Sequence, residues 1–259
     1  MDFEHIRLED SPAGFATVTI ARPDRLNALS GQTVDELRAA VEAVAASDAR
    51  CLLLTGEGRG FSSGADLAGG GGLPEDAGLA LEKHFNPLIE ALFALPIPVV
   101  AAVNGPCAGA GCSLALSADI VIASRSAYFL QAFVNIGLIP DAGATWLLPR
   151  LAGRARALEM MMLGERIPAD KALDWGLVSR IVEDEELIAE AVALASSLAR
   201  GPTVALALIR KLARDSGQLT LPEALAAERA AQREAGRTQD FRSAVFAFLE
   251  KRQPRFEGR

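Results

Sequence analysis

Twice along this chain a short apolar stretch runs directly into a glycine-rich loop. Cys51 to Thr55 leads into Gly56, Gly58, Gly60 and Gly64, and Val99 to Val103 leads into Gly105, Gly109 and Gly111. A strand turns its side chains alternately to two faces, so an unbroken apolar run is satisfied only when both faces are covered. Doubly buried strands among amphipathic helical segments imply an α/β fold. With 259 residues, half of them apolar, the chain can build such a core in one domain, or in one domain with a small appendage.

Before the first apolar run, Phe3 to Glu9 and Phe15 to Ile20 read as two strands around a turn at Ser11, Pro12 and Gly14. Ser30 reads as the N-cap of a helix through about Ala46, with Val34, Leu37, Val41 and Val44 on one face. A second helix is expected from about Pro74 to Leu95, followed by the Val99 strand, a helix over Gly109 to Leu116 and a strand over Asp119 to Ala123. The run Gly69 to Gly72, beside Pro74, is expected to be mobile. From Ala142 the character changes. Helices are expected over Ala155 to Leu163, Asp170 to Trp175, Glu185 to Leu198, Val204 to Asp215, Leu221 to Gly236 and Asp240 to Glu250, with one strand from Leu177 to Val182. This divides the chain into an α/β core, residues 1–195, and a helical region, residues 196–259, with Gly201 and Pro202 as the nearest punctuation.

Charge and composition remove several functions. The formal net charge is −7, and no Lys/Arg block is interleaved with aromatics. A nucleic-acid partner is not expected, because tracking phosphates needs a positive surface, and anionic membrane surfaces are disfavoured for the same reason. There is no run of 18 apolar residues and no apolar segment in the charged start MDFEHIRLED, so neither a spanning helix nor a secretory signal is expected. Three irregularly spaced cysteines, Cys51, Cys107 and Cys112, form no disulfide framework, and a cytoplasmic location fits. With only His5 and His84 available, a histidine-rich metal site is excluded and acid–base work falls to carboxylates.

Two motifs invite functions that the rest of the chain does not support. GFSSG, Gly60 to Gly64, matches a nucleophile elbow, but no histidine follows His84 to serve as the base for Ser62. GAGCSL, Gly109 to Leu114, half matches a dinucleotide fingerprint, but Leu114 replaces the third glycine and Asp119 comes too early to bind a ribose. What the two loops do offer is backbone. Small residues at Ser63, Gly64 and Ala65 and at Gly109, Ala110 and Gly111 let a ligand approach main-chain N–H groups. Two such loops facing each other would place two amide donors around one oxygen, an oxyanion hole for charge developing on a carbonyl. Tight packing of neighbouring elements would explain the same small residues.

RPDRLNAL (Arg22 to Leu29), GFSSGADL, NGPCAGAGC with ADIVIA, and GLIPDAGATWLLPR (Gly137 to Arg150) together resemble the crotonase superfamily, the enoyl-CoA hydratase/isomerase proteins. The likeness runs over almost the whole chain, to the tail FLEKRQPRFEG. It implies a core of repeated ββα units and a C-terminal helical region that packs as a homotrimer or a dimer of trimers. It implies an acyl-CoA thioester substrate and no cofactor beyond the coenzyme A that the substrate carries. By the same resemblance the thioester oxygen takes the N–H groups of Ala65 and Ala110. Arg25, Leu26, Ala28, Ser63, Gly64, Asp66, Leu67 and Gly109 line the substrate path, and Lys251 meets the nucleotide phosphates of a neighbouring subunit's ligand.

Hydratases of this family carry two glutamates, and the corresponding positions here are Ser113 and Phe133. Hydration needs one group to activate water and another to deliver a proton, so simple hydration is disfavoured. Instead Asp141 stands in IPDAG where relatives carry glycine. One carboxylate with an oxyanion hole is the equipment for moving a proton between two carbons, although Asp141 also suits an N-cap before Ala142. HFNPL, RSAYFLQAF and the IPD segment further resemble the family branch that isomerises ring-1,2-epoxyphenylacetyl-CoA to the oxepin thioester. That likeness places Asn86 at the acyl pocket, with Phe129 and Phe133 as either its apolar wall or ordinary core. The alternatives are a Δ3,Δ2-enoyl-CoA isomerase, an unusual hydratase, or a non-catalytic binding protein.

Overall fold

The structure, a computed structural model, describes residues 2–67 and 76–259. The chain opens with β1 (Ile6–Asp10), β2 (Ala16–Ile20), α1 (Gly31–Ala45), β3 (Leu52–Gly56), α2 (Asn86–Ala94) and β4 (Val99–Val103). Then come β5 (Pro106–Ala108), α3 (Ala110–Leu116), β6 (Ile120–Ser124), β7 (Tyr128–Leu130), α4 (Ala144–Leu151), α5 (Gly153–Leu163), β8 (Ile167–Pro168), α6 (Ala169–Asp174) and β9 (Arg180–Val182). Four helices close the chain: α7 (Leu187–Ala199), α8 (Thr203–Asp215), α9 (Leu221–Ala235) and α10 (Gln239–Leu249). The expected ββα units are present as β1–β2–α1, β4–β5–α3 and β6–β7 followed by α4.

β1 and β2 form the expected antiparallel hairpin, and β2, β3, β4, β6 and β9 continue as parallel neighbours. The apolar runs are buried on both faces, and their alternation sorts side chains into two cores. Leu52, Leu54, Val99, Ala101 and Val103 face the side covered by α1, α2 and α3. Cys51, Leu53, Val100, Ala102 and Ile122 face Leu187, Ala191, Ala195 and Ala199 of α7. The division expected at residue 195 falls inside α7, whose last buried alanines belong to the sheet's own core; the helix ends at Arg200, before Gly201 and Pro202.

A second sheet of β5, β7 and β8 stands beyond the ends of β4 and β6. Its three strands are two or three residues long, too short to show periodicity in sequence. α4 also differs from expectation, because it carries Pro149 and ends within three residues of it. α2 begins only at Asn86, after a π turn over Leu81–Phe85. The Gly69 to Gly72 run lies outside the described residues. β6 starts at Ile120, and Asp119 is spent elsewhere. Its carboxylate accepts from Val99 N (2.8 Å), Arg210 Nε (2.6 Å) and an Arg214 guanidinium nitrogen (2.9 Å). Arg210 is buried and also donates to the carbonyls of Leu92, Phe93 and Leu95 at the end of α2. Desolvation, and then the neighbouring Arg210, hold the Arg214 pKa down to about 10 although Asp119 works against them. This cluster bolts α8 to the core. Among the described residues no single helix is long and apolar enough to cross a membrane.

Arg210→Ala should leave Asp119 half-paired and several carbonyls short of donors, lowering stability by about 3–5 kcal/mol. Urea unfolding should show a lower midpoint with an unchanged slope; a midpoint equal to wild type would remove the cluster from the account of docking.

Candidate active site

Loop residues 61–66 are held from both sides. Ser63 N donates to Leu26 O (2.9 Å), Leu29 N to Gly64 O (2.8 Å) and Asp66 N to Leu29 O (3.0 Å) on one side, and Ala108 N donates to Ser62 O (2.9 Å) on the other. Gly64 has φ +93°, and a Cβ there would lie 2.9 Å from Ala108 O. Gly109 stands opposite, in ordinary contact (a Cβ there would lie 3.7 Å from Gly64 Cα), and its φ of +52° disfavours a side chain. Side chains are excluded at the crossing, and the two loops touch at the residues immediately before Ala65 and Ala110. Among the described residues, the N–H groups of Ala65 and Ala110 donate to no acceptor. Two amides without an acceptor among the described residues thus directly follow the two glycines that meet.

Ser62 is fully buried and donates to Asn27 O (2.8 Å), so it is a scaffold hydroxyl and not an exposed nucleophile. The motifs alone gave Asn27 no role. Its buried amide donates to Glu57 O (2.9 Å) and Gly60 O (2.7 Å) and accepts from Arg22 N (2.9 Å). The available signal was an Asn in RLNAL, because Asn tolerates the left-handed backbone found here at φ 55°.

Asp141 opens a tight turn in which Ala144 N donates to Asp141 O (3.0 Å). Ala142 (φ 49°) and Gly143 (φ 84°) are both left-handed, an arrangement that costs an alanine about 1 kcal/mol. The capping alternative for Asp141 is overturned: Gly143 is the N-cap of α4, and no side chain caps it. Asp141 Oδ1 is buried, without a hydrogen-bond partner among the described residues. Burial alone pushes the carboxyl pKa up from 3.8 to about 6. Ser113, buried in α3 one turn after Ala110, donates to Asp141 O (2.9 Å) and so ties the carboxylate's segment to the hole. Phe133 is buried with its ring edge 3.7 Å from where a Gly109 Cβ would stand.

The remaining expected residues are placed unevenly. Asp66 is engaged by Arg22 (2.9 Å), which also donates to Ala28 O, so this carboxylate braces the loop. Ala28 is buried, Leu26 is half-buried at φ 49°, and Arg25, Ser63 and Leu67 are exposed. Asn86 is exposed at the start of α2, three residues before Ile89, whose methyl lies 3.7 Å from where a Gly143 Cβ would stand. Lys251 is exposed near the C-terminus, at φ 54°. Phe129 is fully buried in the main core. Two grooves of about 610 and 620 Å³, lined by Phe93, Trp146, Arg210 and Arg214, lie elsewhere and include none of Ala65, Ala110 and Asp141. Among the described residues no group of three His, Cys, Asp or Glu side chains is placed to hold a metal ion.

Residues 10–259 match the family model described as enoyl-CoA hydratase/isomerase. The chain is 47% identical to the 1,2-epoxyphenylacetyl-CoA isomerase of Escherichia coli K12, covering 95% of this chain and 96% of that one. It is 46% identical to the "probable enoyl-CoA hydratase" of Rhodobacter capsulatus over the full length of both. The crystal structure of an enoyl-CoA hydratase from Bacillus anthracis superposes with a TM-score of 0.94 at 31% identity, covering 99% of this chain and 100% of that one.

The Asp141 pKa lies above its ordinary value, so ionising this group costs the fold stability. The contribution of this one group to stability is full below pH 3.8, weakens as the pH rises towards 6 and levels off above. Asp141→Asn should therefore be more stable than wild type by about 2 kcal/mol at pH 8, a gain that vanishes at pH 4. Urea titrations at the two pH values measure it, and an equal difference at both would contradict the burial assignment.

Proposed function

Within the enoyl-CoA hydratase/isomerase family, to which this chain belongs, we propose that it is an acyl-CoA isomerase with Asp141 as its proton carrier. The observation that carries this reading is a single buried carboxylate with an oxygen unpartnered among the described residues, whose main chain is joined through Ser113 to α3, the helix that begins with the free amide of Ala110. The thioester oxygen accepts from the N–H groups of Ala65 and Ala110. Asp141 removes a proton from the α-carbon, the charge passes to the thioester oxygen as an enolate, and the same carboxyl returns the proton to another carbon. Each amide lowers the barrier by roughly 3 kcal/mol, and the positioned base adds about 10²–10⁴ in rate. The exchange is redox-neutral and adds no atom, so it calls for no cofactor beyond the coenzyme A within the substrate.

The substrate favoured is ring-1,2-epoxyphenylacetyl-CoA. The bond shared by the epoxide and the ring opens to the seven-membered oxepin, and the α-proton moves to a ring carbon. The relative of that name at 47% identity supports this, as does the apolar Phe133 beside Gly109. Shifting a double bond from the 3 to the 2 position of an enoyl-CoA uses the same steps and is the alternative reading. Hydration has less support, because Ser113 and Phe133 supply no second acid and Asp66 is held by Arg22. Arg25, Leu26, Ala28, Ser63 and Leu67 line the coenzyme A path in this reading, and Asn86 borders the acyl group. All three cysteines are free and buried, which suits the reducing cytoplasm.

The same reading includes self-association as a trimer or a dimer of trimers. α9 and α10 expose Leu221, Leu225, Phe241, Phe246, Phe248 and Leu249, an apolar face that a second copy of the chain would cover. Lys251, at the end of α10, then reaches the phosphates of a neighbouring subunit's ligand.

Asp141→Asn should abolish turnover of the ring epoxide and of 3-hexenoyl-CoA while acyl-CoA affinity changes less than threefold. In the wild type, activity should rise with pH through about 6 and then stay level, because the ionised carboxylate is the base. Unchanged turnover in the variant would reject the assignment, and rapid loss of the enoyl absorbance of crotonyl-CoA would favour hydration instead. The assembly is checked separately by sedimentation: Phe246→Ser with Phe248→Ser should shift the protein towards monomer, and an unshifted boundary would refute the interface.

A further inference from the structure

Ser113 occupies a position that the proposed chemistry leaves without a titrating role, yet it is fully buried and its hydroxyl is committed. Its backbone N–H closes the first turn of α3 on Gly109 O (3.1 Å), next to the free amide of Ala110. Its Oγ donates its one proton to Asp141 O at 2.9 Å and lies 3.4 Å from Gly109 O. One side chain thus spans from the residue that precedes the hole's amide to the main chain of the residue that carries the carboxylate.

The carboxylate needs such a tie. Among the described residues Oδ1 of Asp141 has no hydrogen-bond partner to orient it, so its placement leans on the backbone that carries it. That backbone enters a turn whose two central residues are both left-handed, one of them an alanine. The turn's own bond to Asp141 O, from Ala144 N, comes from within the strained segment. Among the described residues the bond from Ser113 is the hydrogen bond that refers Asp141 to α3, and therefore to Ala110.

We propose that Ser113 is a positioning residue that fixes the Asp141 carboxylate relative to the oxyanion hole. This rests on the reading of Asp141 as the proton carrier. A displacement of about 1 Å between base and substrate costs on the order of a hundredfold in rate, while coenzyme A binding, made elsewhere, is untouched. A hydroxyl lost from a merely structural position would lower stability without separating kcat from KM.

The test uses the full-length protein with 3-hexenoyl-CoA, reading kcat and KM for isomerisation and deuterium uptake from solvent at the α-carbon. Ser113→Ala should lower kcat and the exchange rate ten- to a hundredfold with KM within twofold of wild type. Ser113→Thr, which keeps the hydroxyl, should recover most of that loss. Asp141→Asn is measured alongside. If it is inactive while Ser113→Ala stays within twofold of wild type, the positioning role is overturned and the reading of Asp141 stands. A raised KM with kcat unchanged, or no recovery in a folded Ser113→Thr, also overturns the role. Full activity in Asp141→Asn overturns both.

Discussion

Everything proposed for this chain depends on two loops meeting without side chains. Gly64 and Gly109 approach closely enough that a Cβ on Gly64 would press on Ala108 O, and a Cβ on Gly111 would stand 2.5 Å from Ser62 Cβ. The residues that follow the two meeting glycines are Ala65 and Ala110, whose amides the proposed function assigns to the thioester oxygen. The framework behind the contact is polar and buried. Ser62 reaches Asn27, and Asn27 holds Glu57, Gly60 and Arg22, so the conformation of the first loop is tied to a segment more than thirty residues earlier. Each such bond adds only about 1 kcal/mol net, but an unmade one leaves a buried group stranded at greater cost. The framework therefore specifies one loop geometry more than it adds stability.

Two aspartates, Asp119 and Asp141, show how differently the fold treats carboxylates. Asp119 is satisfied on every side, by Val99 N, Arg210 and Arg214, and its work is to hold α8 against the sheet. Asp141 has an oxygen without a partner among the described residues and a pKa displaced upward by desolvation. A fold evolved for stability alone would pair or remove such a group. A desolvated carboxylate of this kind suits the proton-carrying role proposed for Asp141, where Asp119 suits a structural one.

Much of this is legible in the amino-acid sequence. The hairpin, α1 with its Ser30 cap, and the two doubly buried strands follow from local pattern, and Ser30 Oγ does accept from Thr33 N (3.2 Å). Asp141 is visible as a carboxylate in a segment that resembles a glycine-rich one. The losses have physical causes. β5, β7 and β8 are too short for period two to register, and Pro149 masks α4 because proline within a helix reads as a stop. Asp119 reads as the start of a strand because its partners lie more than ninety residues further along, in α8. His84 pairs with Asp35 (2.9 Å) and ties the turn before α2 to α1, a contact that no local pattern announces. Ser113 stands out in the sequence only for what it cannot do. Its bond to Asp141 joins two segments whose approach no local pattern announces.

The neutrality of Ser113 and Phe133 has a consequence for the base itself. Both are buried close to the hole, and neither carries a charge that would offset the desolvation of Asp141 or compete for its proton. A second carboxylate at either position would split the two titrations, as like charges do when they share a site. With desolvation acting alone, the Asp141 carboxyl is held near pH 6, so about nine-tenths of it is ionised at neutral pH. It is also a stronger base than a solvated aspartate, and a better match to a carbon acid whose conjugate enolate is held by two amides. When it has taken the proton it is neutral, and the burial that opposed its charge now favours it. In the proposed isomerisation, the same low-dielectric wall would let one group accept the proton, keep it while the enolate forms, and return it to a different carbon before water intervenes.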